Sequence, residues 1–183
     1  MKRIIALTLA LIFVAFALIS CSAVNSDTPI GMQLASDPEI NKYYFYVPEG
    51  WTVDMSTGIT SAYVSSVDHS SVNVAYGVPS ESTLAEFWEN RKSNFNSVFD
   101  NFTVIEEGVT MEIDGHSTAR YNYTAEYEGV EYQFLQYLII RGSYVYIITY
   151  TAENTKNEAL GFVPFERNLE YVYKIIEEFK FKN

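Results

Sequence analysis

The chain has 183 residues, a formal net charge of −11, 48% hydrophobic and 16% aromatic residues, and a single cysteine. So acidic a balance argues against nucleic acid as a partner and against electrostatic attraction to anionic lipid, since both reward clustered Lys and Arg. One thiol cannot form an internal disulfide, so stability must come from a packed core, and the length suffices for one domain of ordinary size.

Met1-Lys2-Arg3 precede an apolar run from Ile4 to Ile19, followed by Ser20-Cys21. A basic start, an apolar segment short for a bilayer and a small residue before the cleavage point describe an export signal and not a membrane helix. Leu18-Ile19-Ser20-Cys21 is similar to a bacterial lipobox, in which the Cys thiol is acylated and the peptide is cut just before it. On that reading residues 1–20 are a lipoprotein signal peptide, Cys21 carries palmitate or a related acyl chain, and the protein is extracytoplasmic and anchored to a bacterial membrane by lipid. The alternative is an ordinary signal peptide with a chance Cys. Loss of Lys2 and Arg3 leaves ten basic against twenty-three acidic side chains, a formal charge of −13, so the acyl group would have to hold the protein unaided by charge. Residues 21–30, small and polar after the cysteine, form a tether, and its nine residues from Ser22 span about 30 Å when extended. The remainder, 31–183, is expected to be one domain.

Between Gly31 and Gly77 the pattern is short strands with turn punctuation. Tyr43 to Val47 is dense in aromatics, Pro48-Glu49-Gly50 breaks it, and Trp51 to Ser56 resumes. Ser61 to Ser66 and Ser71 to Tyr76 alternate around Asp68-His69-Ser70, a hairpin candidate whose half-polar strands suit the flank of a sheet. Ser80 to Asp100 changes to helical spacing, with Thr83-Leu84-Ala85-Glu86 as a capping box and Leu84, Phe87, Trp88, Phe95, Val98 and Phe99 as the inward stripe. From Phe102 strands return. Asp114-Gly115, Glu128-Gly129 and Gly142-Ser143 are evenly spaced two-residue turns that leave a four-stranded meander, and strands so long call for a bulge somewhere in Val104 to Thr124. Pro164 to Phe181 reads as a second amphipathic helix, with Phe165, Leu169, Val172, Tyr173, Ile176 and Phe179 inward and Glu166, Asn168, Glu170, Lys174 and Glu177 outward.

The centre of this pattern is Tyr132 to Ala152. Gly142 in the first loop position of a type II′ turn sets Arg141 opposite Tyr144. Leu135, Tyr137, Ile139, Tyr146, Ile148 and Tyr150 then share one surface, and Phe134, Leu138, Ile140, Val145 and Ile147 the other. Both surfaces are apolar, so both need cover, and the two helices are the candidates.

The order of elements resembles the PsbP-like family, an α/β/α sandwich shared by the extrinsic photosystem II subunit, a Ran-binding nuclear-import factor and many exported bacterial lipoproteins. The resemblance is carried by Tyr44-Phe45-Tyr46-Val47-Pro48-Glu49-Gly50-Trp51, by Val72-Asn73-Val74, by Thr83-Leu84 with Phe87, and by Ile113-Asp114-Gly115-His116 leading to Ala119 and Tyr121. It implies an α+β fold with a central, mostly antiparallel sheet, a C-terminal meander and helices packed on its faces. It also implies a non-enzymatic binding or assembly module without cofactor, and it carries over no binding residue.

The residues themselves offer little chemistry. There is no Gly-x-Ser-x-Gly elbow, no His-Glu-x-x-His and no phosphate-cradling glycine loop. Asp68 with His69, and Asp114 with His116, could in principle ligate zinc or manganese, but Asp and His are common in turns for backbone reasons. Tyr121, Tyr123 and Tyr127 lie on one side of a strand, where they line either a recognition groove or the core. The expected partners are therefore the membrane, through the lipid, and a protein or cell-envelope component. A metal-dependent enzyme or hydrolase is one alternative, and a periplasmic chaperone-like or inhibitor protein using an exposed sheet edge is another.

Overall fold

The computed structural model describes residues 28–56 and 59–183. The leader, Cys21 and most of the tether lie outside the described residues. The elements run β1 (Met32–Leu34), β2 (Tyr43–Tyr44), β3 (Tyr46–Pro48), β4 (Thr52–Asp54), β5 (Thr60–Tyr63), β6 (Ser71–Gly77), α1 (Leu84–Val98), β7 (Asp100–Ile113), β8 (His116–Tyr127), β9 (Val130–Arg141), β10 (Tyr144–Glu153), α2 (Pro164–Glu177) and β11 (Lys180–Phe181).

Seven strands form one antiparallel sheet in the order β4-β5-β6-β10-β9-β8-β7, and two small pairs, β1-β3 and β11-β2, close it at one end. Arg141 pairs with Tyr144 across the Gly142 turn. Gly142 has φ +60°, as the first position of a type II′ turn requires. At the other two meander turns both central residues are left-handed, Asp114 and Gly115 at +49° and +72°, Glu128 and Gly129 at +53° and +79°, which is the type I′ geometry. The bulges fall where the strand lengths call for them. Register shifts separate Val104 from Glu106 and Glu106 from Val109 in the pairing of β7 with β8.

The main core lies between the sheet and α2. Leu135, Tyr137, Ile139, Tyr146, Ile148 and Tyr150 project into it and meet Phe45, Val47, Phe165, Val172, Ile175 and Phe179. A smaller core lies under α1, where Trp88 packs on Tyr121, Tyr123, Leu138 and Val145. The capping box is formed in full: Thr83 Oγ1 accepts from Glu86 N, and Glu86 Oε2 accepts from the amides of Ser82 and Thr83.

Three details differ from the sequence reading. The last helix ends at Glu177, and Lys180–Phe181 instead pairs with β2, because Phe179-Lys180-Phe181-Lys182 alternates with a period of two and lays both phenylalanines on the core. On α2 it is Asn168 and Ile175 that are buried, whereas Tyr173 is exposed. Val98, expected inside, is exposed because α1 ends as the chain turns away into β7.

Burial raises the phenol pKa of Tyr123, Tyr137 and Tyr150, that of Tyr137 to about 12. A phenol whose folded pKa exceeds its unfolded value of 10 favours the folded state up to that value and loses this contribution as pH climbs between the two. The melting temperature is therefore expected to fall from about pH 10 to 12, and Tyr137→Phe to flatten part of that decline, measured by thermal denaturation across alkaline buffers. Ile148→Ala, at the centre of the main core, should cost about 2–5 kcal/mol in urea unfolding, whereas Ile105→Ala on the exposed side of β7 should change stability by less than about 0.5 kcal/mol.

Candidate functional site

The two helices do not cover the sheet equally. Helix α2 carries six buried residues, α1 only Trp88. The reason is local: the inward stripe of α1 contains Arg91, whose guanidinium lies over the rings of Phe87 and Phe95 at 5.6 and 5.2 Å. Arg91 Nε is buried without a hydrogen-bond partner among the described residues, and desolvation lowers the pKa of the group. What fixes α1 is at its middle. The Trp88 ring stacks on Tyr121 at 4.1 Å, its Nε1 donates to Glu107 Oε1, and Lys92 Nζ donates to the same oxygen at 2.8 Å. Lys92 and then Trp88 hold the Glu107 carboxyl below its ordinary pKa.

Beyond Thr83 the sheet continues but the helix does not. Two adjoining clefts of about 300 and 350 Å³ share Ser82, Thr83 and Ile140, so they form one trough across the N-terminal end of α1. One end is bounded by Val78, Pro79 and Tyr144, the other by Gly108, Thr110 and Ser117. Ile140, which shares a surface with the buried Leu138, is 37% exposed on its floor, and Val78 is 69% exposed on its wall. The rim is hydroxyl-rich, with Ser82, Thr83, Thr110, Ser117 and Ser143. Its one carboxylate, Glu81, accepts a hydrogen bond from Asn90. The amides of Ser82 and Thr83 are occupied by Glu86, and among the described residues no Lys, Arg or His lines the trough. It is therefore suited to an apolar or uncharged hydroxylated surface and not to a phosphate.

Of the residues singled out in the sequence, Tyr121 borders the trough and the others lie elsewhere. Tyr121 and Tyr123 are buried against Trp88, and only Tyr127 reaches solvent. Asp68 and His69 adjoin Ser71, which lies in the row of Thr151, Phe134 and Tyr123; Asp114 and His116 lie beyond the opposite end, past the row of Tyr76, Tyr146, Ile139 and Thr118. The five residue steps along β8 from Thr118 to Tyr123 alone span roughly 17 Å, so the two pairs cannot share one metal through bonds of about 2 Å. Among the described residues no group of three His, Cys, Asp or Glu is placed to hold a metal ion.

Both aspartates act as structural acceptors. Asp68 accepts from Ser70 N at 2.9 Å and from Asn168 Nδ2 at 3.0 Å, which ties the β5-β6 turn to α2, and Asp114 accepts from Phe181 N at 2.7 Å. His69 Nε2 lies 3.0 Å from Ser66 O, and the His116 ring meets the Phe181 ring edge-on at 4.8 Å.

No protein-family model and no curated protein matches the sequence. Solved structures do match the fold, which is that of the PsbP-like α/β/α sandwich. The cyanobacterial PsbP (CyanoP) of Synechocystis sp. PCC 6803 aligns over 90% of this chain and 99% of its own, with 16% identity and a TM-score of 0.59. LpqN of Mycobacterium tuberculosis, described as involved in cell envelope biogenesis, aligns over 83% and 90%, with 13% identity and a TM-score of 0.55. A Pseudomonas aeruginosa protein of unknown function, PA94, aligns over 80% and 94%, with 17% identity and a TM-score of 0.54.

Removal of the Asp68 carboxylate strands the Ser70 amide and part of the Asn168 amide. Asp68→Ala is expected to lower stability by about 1–3 kcal/mol, read by urea unfolding, with no dependence on added zinc or chelator.

Proposed function

We propose that the protein is a lipid-anchored, extracytoplasmic binding or assembly module that performs no reaction, and that its partner seats in the trough over the N-terminal end of α1. The observation that carries this is the mismatch between the β9-β10 hairpin and its second cover. An apolar strand face that outruns its helix leaves Ile140 in water, beside the exposed Val78 of the loop after β6, which costs free energy unless something else covers them. The volume of the trough is in the range of ligand and peptide sites, and its lining holds neither a nucleophile beside a base nor a convergent cation. The leader with its Leu18-Ile19-Ser20-Cys21 supplies the address. Likeness of fold to LpqN, described as involved in cell envelope biogenesis, is compatible with an envelope role. Among the described residues no helix is long and apolar enough to cross a membrane.

The chaperone-like reading is less well supported. The outer edge strand β7 is fourteen residues long, but register shifts interrupt it and Glu106, Glu107 and Glu112 stud it, devices that discourage pairing with another strand.

Mass spectrometry of the membrane-extracted protein should find an acylated amino-terminal Cys21; a different start with that thiol bare would remove the anchor. For the trough, photocrosslinking from Ser82 in intact membranes should capture one partner, and Ile140→Arg should reduce its yield at least tenfold while the melting temperature stays within a few degrees. Equal capture by both chains would place the binding surface elsewhere.

A further inference from the structure

The formal charge of the chain hides an asymmetry. Five of the ten basic residues downstream of the leader, Lys42, Arg141, Lys174, Lys180 and Lys182, gather at the end closed by β11 and β2. Three of them are held there by backbone carbonyls. Arg141 donates from Nη1 to Lys42 O and from Nη2 to Lys182 O; Lys182 Nζ donates to Pro38 O and Asn41 O; and Lys174 Nζ donates to Ile30 O at 2.9 Å. Carbonyl partners do not neutralise a cation. Elsewhere Lys92 and Arg120 are paired with carboxylates, but in this group only Lys180 has one, Asp114 at 3.8 Å, among the described residues. Asp37, Glu39, Glu49, Asp114, Glu177 and Glu178 lie in the adjoining turns and at the end of α2, six carboxylates against five cations, so this end is near electroneutrality and most of the excess negative charge lies on the rest of the molecule.

The same end is where the chain enters the domain. A cleft of about 400 Å³ is lined there by Thr28, Pro29, Leu34, Tyr44, Lys180 and Phe181, among others, and Ile30 beside it is 94% exposed. Lys182 Nζ sits 5.0 Å over the Tyr44 ring and the Arg141 guanidinium 4.8 Å over the Phe181 ring. Tyr with Lys beside an exposed aliphatic side chain is the composition found at membrane–water interfaces, where the ring and stem sit among acyl chains and the polar tip stays with the headgroups. The seven residue steps from Cys21 to Thr28 reach at most about 25 Å, so an anchored domain stays within a few Debye lengths of the bilayer.

We propose that this end is a second interaction surface, which lies against the phospholipid bilayer with Lys42, Lys174 and Lys180 at the phosphates and Ile30 in the interface, and keeps most of the acidic remainder away from the headgroups. The proposal rests on the anchor reading for its biology, but its test does not need acylation in the cell. Cys21 is the only thiol, so the chain starting at residue 21 can be coupled to a maleimide-bearing lipid in vesicles of phosphatidylcholine with phosphatidylglycerol. With Ile30→Trp as the probe, brominated phosphatidylcholine should quench the new tryptophan, while Trp51 and Trp88, both buried, remain unquenched. The quenching should fall several-fold in the Lys42→Glu, Lys174→Glu double variant, whose folding is checked by near-ultraviolet circular dichroism. If the introduced tryptophan stays unquenched on the coupled chain, or if the double variant is quenched equally, the surface is overturned. A bare Cys21 in the membrane-extracted protein overturns the anchor separately.

Discussion

The constraint on which the rest depends is that the β9-β10 hairpin is apolar on both faces. A two-residue turn begun by Gly142 locks the register, and alternation then commits Ile139, Ile148 and Tyr150 to one side and Leu138 and Val145 to the other. Neither set can be left wet, so a layer is required on each side and the chain becomes a sandwich. The α2 layer meets the demand with a continuous core. The α1 layer meets only part of it, because the helix begins at Leu84 while the strands beneath run on past it. The trough is the remainder of that unmet demand, and the proposed function follows from it.

Much of this was legible in the sequence because it is local. Turn chemistry at Asp114-Gly115, Glu128-Gly129 and Gly142-Ser143, the Thr83 to Glu86 capping box and the period-two strands each follow from a few adjacent residues, and their order suffices for the architecture. Asn168 was not legible, since its burial depends on Asp68 and Ser70, far away in sequence, which turn a polar side chain inward by giving its amide acceptors. The closing strand was partly legible. Phe179 continues the helical stripe of α2 as readily as it begins an alternating pair with Phe181, and only the edge offered by Tyr43–Tyr44 decides between them.

Candidate sites were less legible than the fold for the same reason. Tyr121, Tyr123 and Tyr127 are equivalent by alternation, yet the first two lie under Trp88 and the third projects past the helix. Where a helix stops covering a sheet is a property of two elements and the loop between them, and no residue marks it. Net charge misleads in a similar way: an acidic total says nothing about where the cations are collected, and here backbone carbonyls hold Arg141, Lys174 and Lys182 at one end.

The pairing of β11 with β2 has a consequence for how the molecule is made. Phe179 and Phe181 are synthesised after every other member of the main core, and their places lie among the first elements of the domain. Partial chains that stop short of Phe179 therefore lack the wedge that shuts the sheet. Closure waits on this last short strand, and truncation before Phe179 would leave an aromatic-lined gap beside Tyr43 and Phe45.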